Sequence, residues 1–501
     1  IDEKRGGSKQ VKTALELLGK YTLCRFKQER FLIRDNQALR IGSEPYVVFV
    51  QGEFHKETGD ALSDAQINKV ASIHKAQAIE AEEREVHIRT AAPTSARSYI
   101  DLNDGENTII EVDANGWRVS KNTDVLFERP ASMGALPIPV RSGSIESLRG
   151  VFNLEREEDF PVIVAALCYI LRGRPNNRGA YPIIIVSGVA GSAKSTFSRI
   201  IKRLVDPGSP EVTVPPKDIR SLFVSVSSRL ILPLDNISYV DRDISNVLCS
   251  IATGSGLVSR KLFTDADEHI FEMRRPILIN GISFDKASDL LSRSINIELR
   301  PLQSKEYKPE EEIWSTVERI CPSIFGALLS MISNAMREEQ RTEQKIEHEK
   351  FDLPRLADFG RFSVAFERGN GWEEFKIMTS LKSSQETALE ERAEGNTVIS
   401  IIVKIVKEKG SWEGSASELL SKVKAHPDFF TASFSMQKMT AAGLGILLKR
   451  EYSVFAAQGI KITQGRDSKK GRYWVLTMTA ARRSSNDASI PSRKRAPACT
   501  I

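Results

Sequence analysis

The stretch IIIVS–GVAGSAKST–FSRIIKRLV, residues 183–205, constrains the fold of this chain more than any other segment. An apolar strand that breaks into a Gly/Ser-rich loop and then opens a helix aims several backbone N–H groups at one anion. The helix N-terminus adds its partial positive charge to them. The expected nucleotide cradle is therefore Gly188, Val189, Ala190, Gly191, Ser192, Ala193, Lys194, Ser195 and Thr196. Lys194 is placed to reach β- and γ-phosphates and Ser195 to offer its hydroxyl to a metal ion, so ATP and Mg²⁺ are the expected cofactors. Gly188 and Gly191 allow the backbone to approach the phosphates closely. The position before the lysine is Ala193 where GxxxxGK[ST] has glycine. A positive φ there costs alanine about 1–2 kcal/mol.

Two further apolar runs complete the pattern of a parallel α/β sheet between about residues 144 and 302. Leu230–Leu234 ends in Asp235, the expected metal-shell carboxylate acting through water or Ser195. The next residue is Asn236, where a hydrolytic site usually carries a carboxylate, so the general base is open between Asp241 and Asp243. Pro276–Asn280 ends in Asn280, placed to hydrogen-bond the attacking water or the γ-phosphate. Arg293 opens the strand SINIEL. It is either a surface charge or an arginine reaching a neighbouring subunit's γ-phosphate, an effect worth a factor of about 10³–10⁵. The expected catalytic set is Lys194, Asp235, Asn280 and Arg293, with Ser195 and Asp235 at the metal.

The ordered series GVAGSAKST, LILPLDN, IATGSGLVSRKLFTDADEHIFEMRRPILIN and SRSINIEL resembles the superfamily 3 helicases of the AAA+ class, especially the primase-associated helicases of phages and integrated elements. The resemblance implies an AAA+-like P-loop NTPase core. It also implies a hairpin in the third block that faces DNA, with Arg260 and Lys261 as the contacts. The signature GSAKST, with FERPASMGALPIPV and LPRLADFGRF, is similar to a group of element-encoded ATP-binding proteins. Within the last segment Arg355 is open between a place near the nucleotide and an ion pair with Asp358.

Around that core the sequence divides into an N-terminal α/β accessory domain (1–143), the ATPase segment (144–302), a helical lid (303–390), a winged helix (391–480) and a disordered basic tail (481–501). Tyr46–Val50, Glu85–Ile88, Thr108–Val112 and Trp117–Val119 read as strands, and Glu80–Arg84 as a solvated helix face. In the winged helix Asn396–Lys407, Ala416–Val423 and Ser435–Arg450 are the expected helices. Gln437 and Lys438 would sit near the start of the last one, and Arg466, Lys469, Lys470 and Arg472 on the wing. The tail is too polar to bury a core.

Composition narrows the function classes. Hydrophobic residues make up 41% of the 501 and charged residues 27%, which is ordinary for a globular protein. No run approaches the ~18 apolar residues of a membrane span. The net charge of +6 permits a nucleic-acid partner. Five scattered cysteines lack any CxxC spacing, which fits a reducing cytoplasm. The first residue is Ile rather than Met, which fits a fragment of a longer protein. The expected function is an ATP-dependent DNA helicase or translocase of a mobile element or phage, acting in replication. Its expected partners are single-stranded or forked DNA, further copies in a ring of hexamer type, and a primase. The alternative is an ATP-switched DNA-binding regulator or helicase loader with little hydrolysis, a reading that Asn236 favours.

Overall fold

The computed structural model describes residues 2–121, 123–215, 218–237, 242–254, 257–260, 268–271, 273–281, 288–349, 353, 355–467 and 471–479. Asp241, Lys261, Lys469, Lys470 and the 481–501 tail lie outside this set. For Arg260 the backbone alone is described, in the strand Leu257–Arg260, which pairs antiparallel with Glu268–Phe271. Among the described residues no helix is long and apolar enough to cross a membrane. The chain divides into two compact units, Ile1–Gln385 and Glu386–Ile501.

The centre of the first unit is a four-stranded parallel sheet. Its order is Leu232–Leu234, Ile277–Asn280, Ile183–Ser187, Ser294–Glu298. Alternation along the strands separates two apolar layers. Ile184, Val186, Leu278, Ile295 and Ile297 join the cluster built on the buried helix Asp159–Arg172. Ile183, Ile185, Ile277 and Ile279 join a second cluster with Leu222, Val226 and Leu248. A parallel sheet buried on both faces needs such near-continuous apolar strands, and the sequence supplies them.

The N-terminal residues form a five-stranded sheet (Thr22–Phe26, Glu29–Arg34, Gln37–Arg40, Leu126–Phe127, Val86–His87) and a four-stranded antiparallel meander from Thr90 to Ser120. The strands expected near residues 85–88, 108–112 and 117–119 are present as Val86–His87, Ile109–Asp113 and Gly116–Ser120. Tyr46–Val50 instead lies inside the helix Glu44–Thr58. Ser43 caps that helix by accepting from the Tyr46 N–H, Pro45 occupies its first turn, and Tyr46, Val50 and Phe54 are buried at helical spacing. These local signals outweigh the β-branched run. Glu80–Arg84 is not helical; the preceding helix ends at Gln77, and Glu83 makes a β-bridge with Arg25.

The meander does not stand apart from the central sheet. Ile100, Ile110, Val112 and Trp117 share one cluster with Phe160 and Leu167 of the buried helix and with Ile324 and Leu328 of the helix Glu310–Glu349. Residues 1–385 therefore pack as one body, and the seams expected at 143/144 and 302/303 are crossed by a common core.

Buried charges reinforce this join. Arg89 is 0% exposed, and its guanidinium donates to Asp206 and to the carbonyl oxygens of Asp101, Leu102, Gly134 and Pro207. Asp206 also accepts from Lys202 and from the Leu230 and Ile231 N–H groups. The carboxylate is held below its usual range because Lys202 and Arg89 outweigh its desolvation.

The second unit holds helices Thr397–Lys409, Ala416–Ala425, Ala441–Arg450 and Tyr452–Ala457 and a three-stranded antiparallel sheet. In that sheet Gly471–Met478 lies between Ser411–Gly414 and Ile460–Asp467. The long helix expected over Ser435–Arg450 is broken. Phe434–Gln437 is a single turn, and Thr440 caps a new helix by accepting from the Gly443 N–H. Gln437 and Lys438 consequently precede that helix rather than open it, and Gln437 donates to the Ala432 carbonyl oxygen.

Candidate functional site

Each part of the expected phosphate cradle follows from a local conformational requirement. The strand Ile183–Ser187 runs into Gly188, whose φ of 152° and crowding leave no room for a side chain. A Cβ there would meet the Ser192 Oγ at 2.5 Å and the Leu299 carbonyl oxygen at 2.7 Å. Gly191 adopts φ 78°, and a Cβ would lie 2.7 Å from the Tyr307 hydroxyl. Ala193 is the N-cap of the helix Lys194–Val205 and has φ 59°, ψ 31°. The position does require a left-handed residue, and this chain fills it with alanine. Ala193→Gly is therefore expected to raise stability by up to about 1 kcal/mol, since relief of ~1–2 kcal/mol exceeds the ~0.5–1 kcal/mol entropic cost of glycine. A urea midpoint that fails to rise would show that the alanine bears no such strain.

The loop's polar groups converge. Lys194 Nζ donates to the Gly188 and Val189 carbonyl oxygens, each at 2.8 Å. Burial lowers its pKa, and the negative charge of Asp235 works against that shift. The Ser195 hydroxyl donates to Asp235 Oδ1 at 2.9 Å. Asp235 is itself pinned, because its N–H donates to the Thr213 carbonyl oxygen at 2.9 Å. Thus the acidic strand end, two strands away in the sheet, is brought onto the helix N-terminus.

Asn280 lies on the strand between the loop strand and the acidic strand. It is 1% exposed. Its Oδ1 accepts from the Asn236 N–H and its Nδ2 donates to Ser198 Oγ, both at 2.8 Å. The amide braces the acidic strand end against the loop helix and is not aimed at open solvent. Asn236 has φ 55°, a conformation that asparagine tolerates better than most residues. This supplies a backbone reason for Asn236 beside Asp235. Asp243 is exposed in the first turn of the helix Arg242–Thr253.

Arg293 lies at the other end of the sheet. Its carbonyl oxygen accepts from the Ile183 N–H, whereas the loop leaves the same strand after Ser187. Four strand residues separate these levels, about 13 Å at ~3.3 Å per residue. Arg293 lies 3.3 Å from Asp289, and Arg355 pairs with the same carboxylate at 2.7 Å. Of the two places left open for Arg355, the pair with Asp358 does not form, because the helix begins at Ala357 and leaves Arg355 outside it. Asp358 instead accepts from the Ala180 N–H.

Some contributors carry no sequence signal. Asn153 Nδ2 donates to the Ser192 carbonyl oxygen at 2.9 Å and to that of Arg300 at 2.8 Å, clipping the loop to the exit of the neighbouring strand. Ser198 was detectable only as a polar residue four positions after Lys194, on the helix face that meets the sheet. Ser192 is fully buried, and its Oγ has no hydrogen-bond partner among the described residues.

In the second unit Arg466 and Arg472 face each other directly across the hairpin, and both are exposed. Like charges at directly opposed strand positions are destabilising.

Residues 145–384 match the family model of the actinomycete integrative conjugative element replication protein. Residues 398–492 match the model of the C-terminal domain of the same RepA proteins, and the two matches together take in more than half of the chain. The chain belongs to this RepA family. The first RepA match contains the whole candidate site around the glycine-rich loop, and the second contains the Arg466–Arg472 hairpin. No curated protein matches. Two apo structures of the NrS-1 C-terminal region resemble this RepA-family chain at 12% and 11% identity, with TM-scores of 0.41 and 0.39. They cover 93% and 92% of it and 98% of their own chains. A JCV helicase structure with a bound acetamide compound shows 12% identity and a TM-score of 0.24, covering 43% of this chain and 66% of that one. All three scores fall below 0.5, too low to assign a fold.

Proposed function

We propose that this replication protein is an ATP-dependent DNA helicase or translocase of its element, with residues 183–298 as a P-loop, AAA+-like core of superfamily 3 type. The observation that carries the reading is the 2.9 Å contact between Ser195 Oγ and Asp235 Oδ1 at the mouth of the glycine-rich loop. A hydroxyl and a carboxylate converging at a helix N-terminus suit Mg²⁺, and the loop amides and Lys194 suit the phosphates beside it. The cradle residues fit such a group: a Cβ at Gly188 or Gly191 would close it, and the buried Ser192 hydroxyl lacks a partner.

Bound Mg²⁺-ATP would supply the phosphoanhydride bond and the metal's charge neutralisation. Around it Lys194 supplies a cation, Ser195 and Asp235 fix the metal position, and Asn280 holds the Asn236 backbone in place. Arg293 lies too far along the sheet to serve its own loop, so its reading as an arginine finger requires a second copy, as in a ring. The helices between residues 310 and 395 take the place of the lid. Residues 396–478 take the place of a winged helix, with Arg466 and Arg472 meeting DNA phosphates. Phosphate contact explains why two arginines are kept opposite each other at a cost.

ATP turnover is expected to rise when single-stranded DNA is added, and a forked duplex to be separated. Robust turnover that no DNA alters would overturn the helicase reading. In the wing, Arg466→Ala or Arg472→Ala is expected to weaken DNA binding on every sequence. Each is also expected to reduce the slope of log K against log salt by about 1. An unchanged slope would remove the wing from the interface. A second reading, an ATP-switched regulator or helicase loader with little hydrolysis, is favoured by Asn236, whose amide cannot take a proton from water. DNA binding without measurable turnover would select it.

A further inference from the structure

A cavity of about 440 Å³ lies in the first unit, between the N-terminal five-stranded sheet and the segment leading into the strand Ile277–Asn280. No residue of the phosphate loop lines it. Its size is within the ~300–1,000 Å³ range of small-molecule sites. The two sides differ in character. Phe26 and Val86 present apolar surface from the N-terminal sheet, and Arg174 and Arg275 present cations from the core.

Arg275 decides what the cavity suits. Its Nε is buried without a hydrogen-bond partner, and its side-chain bond among the described residues is a weak one, Nη1 to the Arg274 carbonyl oxygen at 3.3 Å. The Arg275 side chain is half-buried at the cavity wall, and a guanidinium with a desolvated, unbonded Nε is costly unless an anion completes its pairing. Acidic neighbours line the cavity but are already paired with other lining residues. Glu29 and Glu128 both pair with Arg40, and Glu85 accepts from Asn177 Nδ2 at 2.9 Å. Arg174 donates to the Asn177 carbonyl oxygen and lies over the Tyr181 ring at 5.3 Å. His87 reports the resulting field: burial first, then Arg275 and Arg174, push its pKa down to about 4. An arginine short of partners beside a histidine whose pKa is driven down, both lining one cleft, marks a candidate functional site.

We propose that this cavity is a second ligand site, taking a nucleotide-sized phosphorylated organic anion. Its phosphate pairs with Arg275 and its ring system lies along Phe26 and Val86. The site is separate from the phosphate loop, and its occupant bridges the N-terminal sheet and the approach to the Asn280 strand.

The test uses the full chain carrying Lys194→Ala and Ser195→Ala, which disable the loop. Titration calorimetry with AMP, GMP, CMP and inorganic pyrophosphate is the readout. At least one nucleoside monophosphate is expected to bind at one site per chain. Arg275→Met is expected to weaken it at least tenfold, as is Ser227→Trp, which puts an indole into the cavity wall. Arg275→Met is also expected to leave the urea midpoint unchanged or raised, since it removes a half-buried charge whose Nε lacks a partner; a purely structural arginine would lower it. Absence of binding by all three monophosphates overturns the proposal, and so does binding that neither substitution weakens. Pyrophosphate binding as tightly as the best monophosphate would overturn the ring-bearing part.

Discussion

Lys194→Ala is expected to abolish ATP turnover while leaving the chain folded. The side chain is partly exposed and its bonds run to two loop carbonyl oxygens, so its loss opens no cavity in the core. Removing one preorganised charge-stabilising donor costs about 10²–10³ in kcat, and a full ammonium beside the reacting phosphate lies at the upper end of that range. Asp235→Ala is expected to act through the metal, and extra Mg²⁺ is expected to recover part of its loss but none of the lysine variant's. Steady-state phosphate release across a Mg²⁺ series measures both. Unchanged turnover in Lys194→Ala would place the nucleotide elsewhere and remove the motor reading with it.

Arg89→Ala is expected to be the most destabilising single substitution in the first unit, by about 3–5 kcal/mol, the usual cost of breaking a buried ion pair from one side. Typical domains are stable by only ~5–15 kcal/mol. Arg89 has no solvent exposure, and removing it strips a donor from four carbonyl oxygens as well as from Asp206. Lys202 still faces Asp206, which keeps the loss from being larger. Urea unfolding of the full chain is the measurement. A loss below about 1 kcal/mol would mean that water replaces the guanidinium without penalty.

The sheet was legible because its strands are short apolar runs that each end in a polar residue, and the polar ends line the candidate site. Asp235 and Asn280 were named on that basis, and both lie at strand ends beside the loop helix. Strand order was not legible. That Asn280 lies between the loop and the acidic strand, and so binds Asn236 and Ser198, depends on pairing between segments 94 and 45 residues apart, Ile183 with Ile277 and Leu232 with Ile277. The positive φ at Ala193 followed from comparing one residue with the expected glycine, whereas the same conformation at Asn236 went unseen because its role was judged by proton transfer alone. One error and one discarded alternative share a cause. Tyr46–Val50 and the Arg355–Asp358 pair were judged without fixing where a helix starts, and the start at Glu44 reverses the first while the start at Ala357 removes the second. Asn153 and Arg89 had no local pattern to betray them, since their partners are distant carbonyl oxygens.

The apolar cluster that runs from Ile100 through Phe160 to Ile324 bears on how such genes can be shuffled. Mobile elements trade coding modules, yet recombination at residue 143 would join halves of one interior rather than two finished bodies. A transplanted N-terminal part would have to bring side chains cut to fit the recipient's buried helix. The first 385 residues, which form one compact unit, are accordingly expected to be inherited as a block, with variation accumulating on their surface rather than at an internal joint.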